Sequence, residues 1–328
     1  YQLSVYKKIY QTPTWLNKGV MYQIFVDRFC ASGKAVPNED KIMRNWGEQP
    51  YFRDEDGVVL NRDFFGGDLE GVISKLPYLR SLNVSTIYLN PIFKAYSNHK
   101  YDTEDYETID PMFGTQQDFE RLCAEAHNLG IHVILDGVFN HVGSSSKYFN
   151  REGKYGNEGA YRDPKSPYRD WFNFRPDGSY ECWWNFRTLP RINARSKSAQ
   201  KYFTDKNGIV RRWIARGASG WRLDVVDEID DCMLDKIVAA AKKENPQAAI
   251  ATVSKITKTI RMLRDHALIG TPLSSIADVD SNYRFLVSGN YMVFYRANGN
   301  DIYIDRVLYG RRDYLRILFT DIQSDTIE

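Results

Sequence analysis

Short apolar runs alternate with stretches of helical periodicity from Gly19 to Asn245. That rhythm is the mark of βα units around a parallel sheet, whose strands are buried on both faces. GVMYQIFVDRF (19–29) predicts a first strand, and DLEGVISKLPYLRSL the helix after it. STIYLNPIF (85–93) predicts a second strand. TQQDFERLCAEAHNLG is its helix, with Thr115 as N-cap and Gly130 at the stop. HVILDGVFN (132–140) predicts a third strand of buried type, followed by an irregular insertion over 142–196. Helical spacing returns in SAQKYFTDKNGIVRRWIARG, GWRLDVVDE (220–228) predicts a fourth strand, and DDCMLDKIVAAAKKEN a fourth helix.

Past residue 245 the pattern changes. ATVSKITKTIRMLRDH continues as helix, and then YRFLV, YMVFYRA and DIYIDRVLY alternate with a period of two. The linkers SGN and NGN are hairpin chemistry, because Gly and Asn accept positive φ. The expected organisation is therefore two segments. Residues 1–245 carry about four βα units, an α/β arrangement on a parallel sheet with an irregular insertion after the third strand. Residues 246–328 form a small α+β segment with an antiparallel sheet. About 80 residues cannot supply four more βα units when a whole barrel takes ~250.

Composition narrows the partners. A net charge of +2 argues against whole-surface attraction to nucleic acid or anionic membrane. Cys30, Cys123, Cys182 and Cys232 are scattered without C-x-x-C spacing, which reads as free thiols in a reducing, cytoplasmic setting. No run of ~18 apolar residues offers a membrane span, and no charged-then-apolar leader opens the sequence. Aromatic residues make up 14%, with many between Tyr148 and Phe186. Such rings suit stacking on sugars or packing of loops on themselves, and composition leaves both readings open.

Polar residues capable of chemistry gather at the carboxyl ends of the predicted strands, the face that carries the active site in α/β barrels. Asp136, Asn140 and His141 close the third strand, as DGVFNH. Arg222 and Asp224 stand two apart on the fourth, so alternation turns both to one face, where the guanidinium can hold the carboxylate ionised. An ordinary structural ion pair would look the same. His99, Tyr101 and Asp102 follow the second strand in NHKYDTEDY.

Together, DGVFNH and GWRLDVVDE resemble the first two active-site regions of the alpha-amylase family of glycoside hydrolases. YQIFVDRF, FFGGDLEGVISKLPYL, LNPIFKAYSNHKYDTEDYETIDPMFGT and ECWWNFRTLP resemble its neopullulanase and cyclomaltodextrinase branch. The resemblance covers residues 14–245 and implies a (β/α)8 barrel whose third loop is a small lobe. It implies Asp224 as the nucleophile of a retaining mechanism on α-glucans such as maltodextrin, pullulan or cyclodextrin. Arg222 would orient Asp224, His99 and His141 would bind sugar hydroxyls, and Tyr101 would stack beneath the ring. Asp136 and Asn140 would hold loops and Arg222 in place, Asp102 would join the substrate-binding residues, and Glu228 would contact the neighbouring sugar. No cofactor is required, although relatives place calcium at a GGD turn, here Gly66 and Asp68. The loop CASGKAVPNED departs from the acidic, Asn-rich loop that goes with such a site, and a plain surface turn is the alternative. The family's acid, a Glu in a motif like G-E-V-W, should follow NPQAAI; the chain continues ATVSK. A His-Asp pair for the third carboxylate is absent too, since Asp265–His266 reverses the order.

The tail, ending in YGRRDYLRILF, resembles toxins of the RelE/ParE superfamily. That likeness implies an antitoxin or RNA as partner, a basic face of Arg284, Arg296, Arg306, Arg311 and Arg312, and stacking by Tyr309 and Tyr314. Met292 and Leu318 stand where RNA-cleaving members place catalytic groups, which counts against nuclease action. The change of subject near 245 reads as a seam between two incomplete coding segments, with the glycosidase half impaired. Non-catalytic glucan binding through Tyr101 and the 148–186 aromatics is a third reading.

Overall fold

The apolar runs pair in sequence order, each with the next. In the computed structural model, which describes residues 13–17, 19–35, 37, 41–50, 53, 59, 61–244, 262–264, 266–277, 281–288, 291–299 and 301–309, they form a four-stranded parallel sheet. The described residues fall into two compact units, one within 12–249 and the other within 250–328.

The first unit opens with α1 (Thr14–Asn17) and β1 (Val20–Ile24), then the short β2 (Ile42–Met43) and β3 (Asp63–Phe64), which pair with each other. Helices α2 (Leu69–Ser74) and α3 (Leu76–Ser81) lead to β4 (Val84–Leu89). A single helix is expected over 68–82, but the chain breaks it at Lys75. Pro77 has no N–H to donate and is tolerated only in a first turn, so a new helix starts there. The hairpin β5 (Phe93–Ala95) and β6 (Thr103–Ile109) follows. Next comes α4 (Gln116–Asn128), whose N-cap is Thr115 in a capping box with Asp118. Then come β7 (His132–Gly137), α5 (Lys197–Thr204), α6 (Ile209–Ala215), β8 (Gly220–Leu223) and α7 (Asp231–Glu244).

The sheet order β1-β4-β7-β8 follows the chain, as successive βα crossovers dictate. Its strands are shorter than the apolar runs: 19–29 ends as strand at Ile24 and 220–228 at Leu223, each followed by a short 3₁₀ turn. Burial explains the runs. Ile24, Leu89, Val133, Phe119 and Trp213 belong to one continuous core beneath the helices. Between β7 and α5 the insertion has 3₁₀ turns and isolated bridges in place of long elements. It packs largely on its own rings: Tyr148 stacks on Trp171 at 5.1 Å, and Phe149 meets Phe172 at 4.8 Å.

The second unit is an antiparallel meander of β9 (Thr271–Pro272), β10 (Arg284–Ser288), β11 (Tyr291–Asn298) and β12 (Asp301–Tyr309), in the order β12-β11-β10-β9. Gly299 takes φ 60° at the β11–β12 turn, where a Cβ would be strained. Leu263, Leu286, Val293 and Tyr295 form its core. The helix expected over 251–266 lies mostly outside the described residues; 262–264 is one 3₁₀ turn.

Candidate functional site

Because the sheet is parallel, the carboxyl ends of β4, β7 and β8 lie together, and register decides which side chains meet. Asp136 on β7 is opposite Arg222 on β8. Arg222 Nη1 donates to Asp136 Oδ1 at 3.0 Å and to Asp224 Oδ1 at 2.7 Å, so one guanidinium bridges two carboxylates. Asp224 itself lies just past the strand. Its N–H still donates to the Gly137 carbonyl at 3.1 Å, which carries the ladder one step further. Val225 then turns left-handed at φ 40°. A β-branched residue is strained there, and the sharp turn presents the Asp224 carboxylate at the sheet's end.

Hydroxyls complete the cluster. Tyr88 and Tyr101 both donate to Asp136 Oδ2, Tyr101 at 2.9 Å. Asn90 donates to the Tyr101 hydroxyl at 3.2 Å and accepts from Gln23 at 2.8 Å. Burial pushes the Asp136 carboxyl up to about 6, against the opposing pull of the Arg222 guanidinium. Burial also raises Asp224, again with Arg222 opposing. His141 is buried and held down to about 4, so its imidazole is neutral at ordinary pH. Its Nε2 has no hydrogen-bond partner among the described residues. His99, lowered by burial as well, accepts the Tyr101 N–H through Nδ1 at 3.1 Å, and the two rings lie 5.9 Å apart.

The remaining expected residues divide. Asn140 is buried beside His141, and its carbonyl accepts the Ile192 N–H at 2.8 Å, which ties the insertion to β7's exit. Asp102 accepts from the Ser97 N–H at 3.1 Å and from the Ser97 hydroxyl, so it braces its own loop. Glu228 Oε1 accepts the Trp184 indole N–H at 2.9 Å. The sequence offers Trp183, Trp184 and Phe186 only as part of the 148–186 aromatics, without separating them from the rest. Trp183 stacks on His141 at 5.3 Å, and Trp184 and Phe186 stack on Trp183 at 5.4 and 6.1 Å. Trp184 and Phe186 are 51% and 54% exposed, so these rings form an open apolar wall rising from the histidine. Tyr88 and Asn90 were missed as well; their signal is alternation, two residues apart at the end of β4.

The GGD turn does not fit calcium. Asp68 caps α2, accepting the Gly71 N–H at 2.7 Å, and Ser32 donates to it through its N–H at 3.3 Å and its hydroxyl. Gly66 N–H donates to Asp27 at 3.2 Å. Carboxylate oxygens turned to N–H and O–H donors are poorly placed for a cation that needs 6–8 oxygen ligands. No group of three acidic, His or Cys side chains that could hold a metal occurs among the described residues.

In the second unit Arg284 donates to the carbonyls of Gly270 and Leu268, both at 2.9 Å, and Arg296 forms a bidentate pair with Asp305 at 2.7 and 2.9 Å. Arg306 donates to the Asp305 carbonyl at 2.9 Å. Arg311, Arg312, Tyr314 and the Tyr309 side chain lie outside the described residues. All four cysteines are unpaired. No helix among the described residues is long and apolar enough to cross a membrane.

A parallel sheet whose carboxyl ends gather ion-paired carboxylates, neutral histidines and exposed aromatic rings is the arrangement of a barrel-type α/β domain. The chain belongs to the alpha-amylase family: residues 23–283 match the alpha-amylase catalytic domain. It is 44% identical over 264 residues to an amylopullulanase of Thermoanaerobacterium saccharolyticum, covering 70% of this chain and 21% of that one. With an intracellular maltogenic amylase of Bacillus subtilis it shares 39% identity over 249 residues, covering 74% and 38%. Among solved structures it is similar to the type III pullulan hydrolase from Thermococcus kodakarensis, at 33% identity and TM-score 0.63 over 73% of this chain and 43% of that one. It is also similar to a cyclic alpha-maltosyl-(1→6)-maltose hydrolase from Arthrobacter globiformis, at 30% identity and TM-score 0.62, covering 72% and 50%. The chain thus spans from 21% to 38% of the length of these two curated relatives, and its parallel sheet is part of a (β/α)8 barrel. None of these comparisons shows the toxin-like character expected of the tail.

Proposed function

We propose that the first unit carries the nucleophile side of a retaining glycoside hydrolase site for α-glucans of the maltodextrin, pullulan and cyclodextrin kind. The observation that carries this reading is Arg222 bridging Asp136 and Asp224 at the carboxyl ends of β7 and β8. In this reading Asp224 attacks the anomeric carbon and forms a glycosyl ester. Arg222 orients it, and Asp136 fixes Arg222 with help from Tyr88 and Tyr101. The neutral imidazoles of His141 and His99 hydrogen-bond sugar hydroxyls, and the Trp183–Trp184 wall beside Glu228 packs against the neighbouring glucose. The names of the relatives, an amylopullulanase, a maltogenic amylase and a pullulan hydrolase, support this substrate class. Calcium at Gly66 and Asp68 is not required, and the free thiols fit the cytoplasm.

Within these 328 residues the proton donor expected after NPQAAI is absent from the sequence. A lost general acid typically costs ~10²–10⁴ in rate. The test separates the two groups: α-maltosyl fluoride, whose leaving group barely needs a proton, against maltodextrin and pullulan. The expected result is fluoride release with the natural glucans slower by that factor. Equal turnover of both would show an acid this reading omits. Maltodextrin binding without fluoride release would favour the non-catalytic alternative.

The pH dependence follows from Asp136. Its carboxyl is raised to about 6 from an ordinary 3.8, so it is ionised above that value and protonated below it. Protonation removes the charge that holds Arg222, and Asp224 is raised in the same direction. Fluoride release is therefore expected to fall as pH drops through about 6, as one coupled step. A rate that stays flat down to pH 4 would count against the arrangement.

A toxin-like second unit binding an antitoxin or RNA remains the alternative for residues 246–328. The antiparallel sheet is compatible with it, but Arg284 and Arg296 are already engaged by carbonyls and by Asp305, so the glucan reading is the one we adopt.

A further inference from the structure

Four lysines converge beside the loop that carries His99 and Tyr101, at a place the glucan reading does not use. A pocket of about 390 Å³ is lined by Lys41, Lys94, Tyr96, Glu104, Lys154 and Tyr155, with Asp110 at its floor. Lys100 lies beneath, fully buried, and its ammonium meets Asp110 Oδ2 at 2.7 Å. Lys41, only 8% exposed, meets the other oxygen of Asp110 at 3.3 Å. Lys154 pairs with the buried Glu104 at 2.7 Å. Lys94 has a phenol for partner, the Tyr155 hydroxyl at 3.3 Å, and no carboxylate within ion-pair reach among the described residues.

The charges around this pocket do not balance. At ion-pair distance four ammonium groups meet two carboxylates, Asp110 and Glu104, and Asp105, shared with Lys147, acts on Lys94 from farther off. Among the described residues positive charge is therefore in excess in a partly enclosed space. Like charges so placed repel more strongly than in water, because little solvent screens them. Lys41 shows the strain: burial, and then the neighbouring Lys100 charge, hold its ammonium below the ordinary lysine range. A neutral sugar would leave the excess unchanged, whereas an anion removes it. The donors present, ammonium groups and tyrosine hydroxyls, match phosphate oxygens, for which lysine serves as a point charge. The volume lies in the range of small-molecule sites, with room for more than a bare anion.

We propose that this pocket is an anion site for a phosphate group, of the size of a sugar phosphate, separate from the Asp136–Arg222–Asp224 cluster. The Lys100–Asp110 pair links its floor to the loop of His99 and Tyr101, so occupancy and the glucan site share one loop.

The test needs no turnover and is independent of the glycosidase reading. The whole chain is titrated calorimetrically with inorganic phosphate, glucose 6-phosphate and glucose at constant ionic strength. Saturable 1:1 binding of both phosphates at the lysine pocket is expected, with any glucose binding left unchanged by substitution of Lys94. Lys94→Gln should weaken phosphate binding by about tenfold, the loss of ~1.4 kcal/mol, with an unchanged melting temperature because Lys94 bears no carboxylate. Lys94→Arg should retain binding. A tighter ester than free phosphate identifies a sugar phosphate, and equal affinities identify phosphate itself; both support the site. Absence of saturable phosphate binding, indifference to Lys94→Gln, or glucose binding that Lys94→Gln weakens as much as it weakens phosphate binding would overturn it.

Discussion

Asp224→Ala should abolish fluoride release from α-maltosyl fluoride, by about 10⁴-fold or more, while leaving the fold intact. The size follows from what is removed: the group that forms the covalent bond, whose loss in other covalent enzymes costs on the order of 10⁴–10⁶. The fold is expected to survive because Arg222 keeps Asp136, with its contacts at 3.0 and 3.2 Å, when Asp224 is gone. Asp136→Ala differs. It leaves the Tyr88 and Tyr101 hydroxyls without their shared acceptor and Arg222 with Asp224 alone, so it should lower both rate and melting temperature. Comparing the two variants separates the attacking group from the group that positions its guanidinium. Release by Asp224→Ala at anything near the wild-type rate would remove Asp224 from the mechanism. Equal melting temperatures for Asp136→Ala and wild type would mean that the hydroxyl network contributes little.

What was legible in the sequence, and what was not, follows the range of the interactions. The four parallel strands are written as apolar runs, because a strand buried on both faces has no polar side to interrupt it, as in HVILDG. The α4 cap is equally local: Thr115 and Asp118 are three apart, and their reciprocal bonds depend only on that spacing. Strand ends were less legible. Val225 turns left-handed against its own preference, a choice made by the surrounding structure that no local propensity encodes. The break at Lys75 has a visible signal in Pro77, which has no N–H to donate and fits only a first turn.

For the site, pairs close in sequence could be read directly. Arg222 and Asp224 belong to one short motif, whereas the bridge to Asp136 depends on register across 86 residues. The motif likeness placed the three residues in one site, and the contact itself comes from the pairing of β7 with β8. The aromatic insertion split where composition could not split it. Tyr148, Phe149, Trp171 and Phe172 are buried against one another, while Trp184 and Phe186 remain open. The packing reading of that composition therefore holds for the buried rings, while Trp184 and Phe186 stand open to solvent.

Trp213→Ala should be the most damaging single change in the first unit. Trp213 is fully buried on α6 and meets Phe93 at 5.0 Å and Phe119 at 5.4 Å, joining the β5–β6 hairpin to α4. Its indole N–H donates to the Tyr106 carbonyl at 2.9 Å, inside the same core. Truncation removes the apolar burial and leaves a cavity that rings packed from several elements cannot readily collapse into. Such losses cost about 3–5 kcal/mol. For a unit of this size each kcal/mol moves the melting temperature by ~2–4 °C, so a drop of roughly 6–20 °C is expected by calorimetry. Trp213→Phe should recover much of the packing but not the bond to Tyr106, and so fall between. Because Trp213 touches none of the site side chains, residual fluoride release measured well below the lowered melting point should stay close to wild type. A shift under ~2 °C for Trp213→Ala would mean that the hairpin and α4 are held together by other contacts. A large loss of activity at a temperature where the variant is fully folded would mean that the core transmits its packing to Asp136 and Arg222.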